Sequence, residues 1–244
     1  MKWLPEFALK HSEVAGLGAD NAVELVARAA KSVYATDKFQ TRGEFGELLL
    51  HAALRQCFKT LPAISKYYYK DAGNDTVKGF DAVHVVSTDT SLELWLGEVK
   101  FYDDAARAIA DVLKEVEKHL ERDYLRGEFA AITNKIDSDW QHAERLKKLL
   151  HPDTSLDEVF DAVCVPVLLT YDSPVIKSFD EVSAQYKTQF EAEIVAHHAT
   201  FTVKLANKTV PPQLRVHLFL LPLLEKASLV KSLDEALKRV QAIQ

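Results

Sequence analysis

The sequence predicts an α/β fold, a mixed central sheet flanked by helices and built as one large domain. Three observations carry that expectation. Apolar residues recur at helical spacing in some segments and form short β-branched runs in others. The two kinds of segment follow one another as helix, strand, hairpin, helix, strand, the order of a layered α/β domain. With 244 residues, 48% of them apolar and 27% charged, the chain can bury a substantial core and does not have the composition of a disordered protein.

In chain order, Val23, Val26, Ala27 and Ala30 recur at helical spacing within residues 21–32, so the N-terminal region is helical. A second helix, over residues 42–59, is apolar around almost its whole circumference. Phe45, Leu48, Leu49 and Ala52 form one stripe, and Leu50, Leu54 and Phe58 another. Such a helix is buried on more than one side. Residues 65–70, with Tyr67, Tyr68 and Tyr69 in succession, favour a strand, and residues 71–79 a turn. Residues 80–86 are apolar on both faces, as in a central strand. A polar turn over 87–91 leads to a returning strand over 92–102. Asp103 and Asp104 offer an N-cap to a long amphipathic helix. Its core stripe is Ile109, Val112, Leu113, Val116 and Leu120, with Lys114, Glu115, Lys118, Glu121 and Arg122 covering the rest. Beyond it the pattern predicts a short strand over 129–133, a helix over 140–150 and a buried strand over 162–171. A helix over 182–197, a strand over 214–221 and a closing helix over 232–243 follow.

Composition excludes several classes. The longest apolar stretches, 163–171 and 217–224, are strand-length and each holds a proline. A membrane span needs roughly 20 apolar residues. The first residues lack the apolar run of a secretion signal, so the expected location is cytoplasmic. Cys57 and Cys164 show no metal-binding spacing and read as buried, reduced thiols. No phosphate-binding glycine loop, dinucleotide fingerprint or nucleophile elbow occurs. With 30 basic and 36 acidic residues the chain is formally −6, which counts against tight nucleic-acid binding by this chain unaided.

The chemistry gathers on the predicted hairpin. Glu98 and Lys100 are two positions apart on a strand, so they share a face with Leu92, Leu94 and Leu96. An acid and a lysine at the end of an apolar row must pair, bind a metal or reach solvent. A four-residue loop, 88–91, pairs Ser87 with Leu92 and sets Asp81 opposite Glu98, whereas a three-residue loop turns Asp81 to the other face. Directly opposed partners have Cβ atoms about 4.5–5.5 Å apart. Two carboxylates so close repel one another unless a cation lies between them. Oxygen-rich sites of this kind suit magnesium or manganese. Glu98-Val99-Lys100 is the only acid-x-Lys triplet in the chain, a short signal that gains weight from its strand context and from Asp81. Glu47 heads the stripe of Leu50, Leu54 and Phe58 on the buried second helix, where a carboxylate needs a partner.

The order of a helix with Glu47, a strand, the Gly79-Phe80-Asp81 strand, the Glu98-Val99-Lys100 strand, a helix and a strand resembles the PD-(D/E)XK nuclease superfamily over residues 42–171. More narrowly, Arg42-Gly43-Glu44-Phe45-Gly46-Glu47-Leu48-Leu49, Lys78-Gly79-Phe80-Asp81 and Leu96-Gly97-Glu98-Val99-Lys100-Phe101-Tyr102 are similar to the HamA nuclease subunits of Hachiman-type anti-phage defence and their AbpA relatives. Phe80 stands where the superfamily pattern has proline, a position without chemistry. Glu44 and Glu47 compete for the place of the helix acid.

The resemblance implies a restriction-endonuclease-like core over 41–172, a helical N-terminal extension over 1–40 and an α+β C-terminal extension over 173–244. It implies a magnesium- or manganese-dependent DNA nuclease working with a superfamily 2 helicase of the HamB type. Asp81, Glu98, the carbonyl of Val99 and Glu47 would hold the metal, and Lys100 would orient the attacking water. A nuclease-fold subunit that binds without cutting is the rival reading. The remaining polar groups have plainer readings. His197 and His198 point in different directions on a helix, the tyrosine run packs, and Arg145, Lys147 and Lys148 form a solvated face.

Overall fold

A computed structural model describes residues 2–33, 43–64, 79–89 and 91–243. The N-terminal part is helical, with α1 (Leu4–Ala8), α2 (His11–Ala15) and α3 (Ala22–Val33). Next come α4 (Glu44–Phe58) and the strands β1 (Leu61–Pro62), β2 (Ala82–Ser87) and β3 (Leu92–Phe101). The helices α5 (Ala105–His119), α6 (Arg122–Lys135), α7 (Ala143–Leu149) and α8 (Leu156–Ala162) lead to β4 (Val163–Asp172). The chain continues through α9 (Pro174–Ser178), α10 (Ala184–Ala206), β5 (Arg215–Leu223) and α11 (Lys226–Gln241). The tyrosine run and Lys78 lie outside the described residues.

The described strands form one sheet in the order β1-β2-β3-β4-β5. The β1–β2 and β2–β3 pairs are antiparallel, and β3–β4 and β4–β5 are parallel. This is the expected mixed sheet with helices on both faces. Side chains alternate along β3 and sort the core into two layers. Leu94 and Leu96 face α5, where Ile109, Val112, Leu113 and Val116 cover them together with Val165, Val167 and Leu169 of β4. Trp95 and Val99 face α4, against Leu50, Leu54, Cys164 and Leu168. Helix α4 comes close to the strand because residue 46 has no side chain: a Cβ there would lie 2.8 Å from the Cβ of Phe101. A third cluster gathers α1, α3 and α11 around Phe45 and Phe101, so α4 is buried on more than one side, as its apolar circumference predicts.

Three expectations need correction. Residues 129–133 are not a strand but the middle of α6, where Leu125, Phe129 and Ile132 line one buried helical face. Three apolar residues within a short window fit either period, and only the longer stretch from Leu125 shows the helical one. Helix α8, absent from the expected elements, immediately precedes β4 and is opened by a capping box between Ser155 and Glu158. Cys164 is buried as expected, but Cys57 is exposed on the last turn of α4. No described helix is long and apolar enough to cross a membrane.

Candidate active site

The site is assembled by the hairpin. Ser87 pairs with Leu92 and Ala82 with Gly97, and the Thr88 amide donates to the Ser91 carbonyl at 2.9 Å. That is the four-residue loop, and continuing the register sets Asp81 across from Glu98. Asp81 itself stands just before the regular ladder. Its amide donates to the Gly97 carbonyl at 2.8 Å, and its Oδ2 accepts from the Val99 amide at 2.9 Å. The chain enters this position through Gly79 at φ +118, a left-handed conformation that favours glycine. A Cβ at Gly79 would also collide with the Glu128 carboxylate.

On the same face of β3, each polar side chain meets a polar residue of α5. Glu98 Oε1 bonds to His119 Nδ1, Lys100 Nζ donates to Glu115 Oε2, and the Tyr102 hydroxyl donates to Asp111 Oδ2 at 3.1 Å. Strand residues taken every second position advance by about 6.8 Å. Helix residues taken every fourth advance by about 6 Å. Residues 98, 100 and 102 therefore climb in step with 119, 115 and 111, forming a polar ladder between a strand and an antiparallel helix. Glu115 and His119 are the functional neighbours that sequence reasoning missed, because Glu115 reads as solvent cover. Their signal is the spacing of Asp111, Glu115 and His119 beside the apolar stripe, matched to the two-residue step of the strand.

The electrostatics follow from burial. Glu98 is 1% exposed, and burial, with the neighbouring Asp81 and Glu115 charges, pushes its carboxyl up to about 7 against the opposing pull of His119. Burial alone would lower His119 and Lys100. The bonded carboxylates Glu98 and Glu115 override it and raise both. Near neutral pH the Glu98–His119 pair thus shares a proton, while Lys100 stays a cation.

Asp81, Glu98 and Lys100 are brought into one electrostatic cluster, each of the two acids acting on the lysine. Val99 takes part through its amide, which holds Asp81. Glu47, like Glu44, is half-buried in the first turn of α4, and that helix packs on the Val99 and Phe101 side of β3, opposite Glu98. The donor chemistry suits a hard divalent cation: the Asp81 charge stands close enough to Glu98 to raise it, and Glu98 is buried. Among the described residues, however, no three histidine, cysteine or acidic side chains form a ready-made cage. Glu98 is instead occupied by His119, and Asp81 by the Val99 amide.

A second buried polar cluster lies beside α4. His84 Nδ1 and Thr60 Oγ1 are 2.7 Å apart, and His84 Nε2 and His51 Nδ1 are 3.1 Å apart. Among the described residues His51 Nε2 has no hydrogen-bond partner, and it borders a cavity of about 50 Å³ that Asp81 also lines. Burial, then the Arg55 charge, lowers His51 to about 3, and burial lowers His84 as well, so both rings are neutral at pH 7. The other polar groups are structural. Arg145 holds the hairpin through Ser87 Oγ at 3.0 Å, and His197 packs edge-on against Tyr171.

Comparison with known proteins gives a family and a distant relative. The HamA family model matches residues 1–237. The chain is also similar to anti-bacteriophage protein A of Escherichia coli strain K12, 22% identical over 244 residues. That match covers 98% of this chain and 44% of the relative, so the chain spans less than half of the relative's length.

Proposed function

The chain belongs to the HamA family, and from that premise and the ladder on β3 we propose that it is a metal-dependent nuclease of PD-(D/E)XK type. It hydrolyses DNA phosphodiester bonds in the cytoplasm as the effector of an anti-phage defence system and works with a superfamily 2 helicase. The observation that carries this reading is the meeting of Asp81, Glu98 and Lys100 at the open end of the hairpin. The name of the relative, anti-bacteriophage protein A, supports the biological setting.

Asp81 and Glu98 are the groups that would hold magnesium or manganese, with the Val99 carbonyl beside them. A bound ion supplies polarisation of the phosphate and a water of lowered pKa. Lys100 keeps its charge because Glu115 is bonded to it, so it acts as a cation and hydrogen-bond donor toward phosphate oxygens and not as a base. Glu98 can pass its shared proton to His119 and so take the ionised form that a cation needs. Asp81 is fixed at the strand end by the Val99 amide, which donates to its Oδ2.

The test is phage protection by single variants. Glu98→Gln and Lys100→Ala should lose protection entirely, with phage plating as on cells lacking the system, while the purified variants keep the parent's circular dichroism and partner binding. Protection undiminished in both would make the chain a nuclease-fold binding subunit instead.

A further inference from the structure

Helix α5 carries a second row of charges beside the ladder. Arg107, Lys114 and Lys118 are exposed and recur at steps of seven and four residues. At 3.6 residues per turn these steps keep all three within about 20° of one line along the helix. Asp111, Glu115 and His119 run next to that line and turn toward β3. The helix thus presents acids and an imidazole to the sheet and a row of cations to solvent. The three acids of the helix, Asp111, Glu115 and Glu117, equal these cations in number but are each bonded elsewhere, to Tyr102, Lys100 and Lys208.

Both ends of the row are tied to the ladder. The Arg107 guanidinium lies 4.4 Å from the ring centre of Tyr102, whose hydroxyl forms the third rung. Lys118 Nζ lies 5.8 Å from the ring centre of Tyr124, and that ring stacks on His119 at 4.5 Å. Arg107 also sits 3.7 Å from Asp103, with both side chains more than half exposed. An exposed ion pair of this kind is weak and leaves the guanidinium available to a stronger anion. From Arg107 to Lys118 the helix advances by about 16 Å. One strand of a duplex rises by about 3.4 Å per nucleotide, so the row matches about five phosphates.

We propose that Arg107, Lys114 and Lys118 form a rail that binds the phosphate backbone of DNA and lays one strand along α5, beside Glu98 and Lys100. The inference rests on the nuclease reading of that site and deepens it. An acidic protein holds a polyanion by gathering its grip on one helix face, and the tyrosines beneath the end cations fix their direction.

Fluorescence anisotropy with a fluorescein-labelled oligodeoxynucleotide tests it, with calcium replacing magnesium and salt varied. Each phosphate contact contributes about 0.9 to the slope of log affinity against log salt on duplex DNA, and about 0.7 on a single strand. Arg107→Gln, Lys114→Gln and Lys118→Gln should each weaken binding several-fold and flatten the slope by about that amount, and the triple variant by about three times as much. Lys187→Gln, on an exposed face of α10, should change neither. All of these positions are exposed, so the variants fold. If the parent binds and the triple variant keeps both its affinity and its slope, the rail is wrong and the site stands. If the parent itself fails to bind, the rail is wrong, while cleavage by the chain with its helicase partner decides the nuclease reading separately.

Discussion

Lys100 shows how a single residue is prepared for one role. It is 8% exposed at the end of an apolar strand row, where an unpaired ammonium would be costly. Glu115 removes that cost and holds the charge in place. Glu115→Ala should therefore slow cleavage about ten- to a hundredfold, the range of a lost hydrogen bond to a charged group, with Glu115→Asp recovering part of it. Single-turnover cleavage rates measure this. Glu98→Gln should abolish the rise in melting temperature that magnesium gives the parent, since a ligand of the native state alone stabilises it. Thermal denaturation with and without the metal reads the difference. Asp81, Glu98 and Lys100 were legible in the sequence because strand alternation and loop length fix which side chains share a face. Glu115 and His119 were not, since a charged residue on an amphipathic helix has the same pattern whether it meets water or a lysine from the sheet.

The β3–α5 pair converts two different periods into one ladder, and the elements on either side serve it. Residue 46 lets α4 press against β3 from behind, so the strand that carries Glu98 and Lys100 is held from both faces. Gly46→Val forces a side chain into the Phe101 contact and should cost about 1–3 kcal/mol of stability, read by chemical denaturation. Long elements were legible: α3, α5, β3 and β4 lie where periodicity sets them. Short ones were not. Phe129 and Ile132 look like strand residues until Leu125 shows the helical phase, and α8 is a two-turn helix declared only by its Ser155 cap.

Across the whole molecule, the two faces of the sheet divide the polar interior. The α5 side holds the charged ladder, and the α4 side holds the neutral His51–His84–Thr60 chain. Those histidines are buried with lowered pKa values, so the unfolded chain binds protons that the folded protein does not. The His51 contribution is complete above about pH 6.5 and declines as pH falls toward about 3. Between pH 6.5 and 5, His51 alone should account for about 2 kcal/mol of lost stability. His51→Asn should flatten that part of the profile of melting temperature against pH. No local pattern in the sequence joins His51 to His84, because they meet only when α4 crosses β2. The closing helix α11 was legible as a helix, but its packing beside α3 was not, including the 2.9 Å bond from Gln241 Nε2 to the Ala30 carbonyl. Such contacts lie too far apart in sequence for periodicity to report.

The most direct measurement is cleavage of end-labelled DNA by the purified chain with its helicase partner, in magnesium and then in excess chelator, beside Lys100→Ala. The parent should cut in magnesium alone, and the variant in neither condition. Equal cutting by Lys100→Ala, or cutting that survives the chelator, would contradict a site built from Asp81, Glu98 and Lys100.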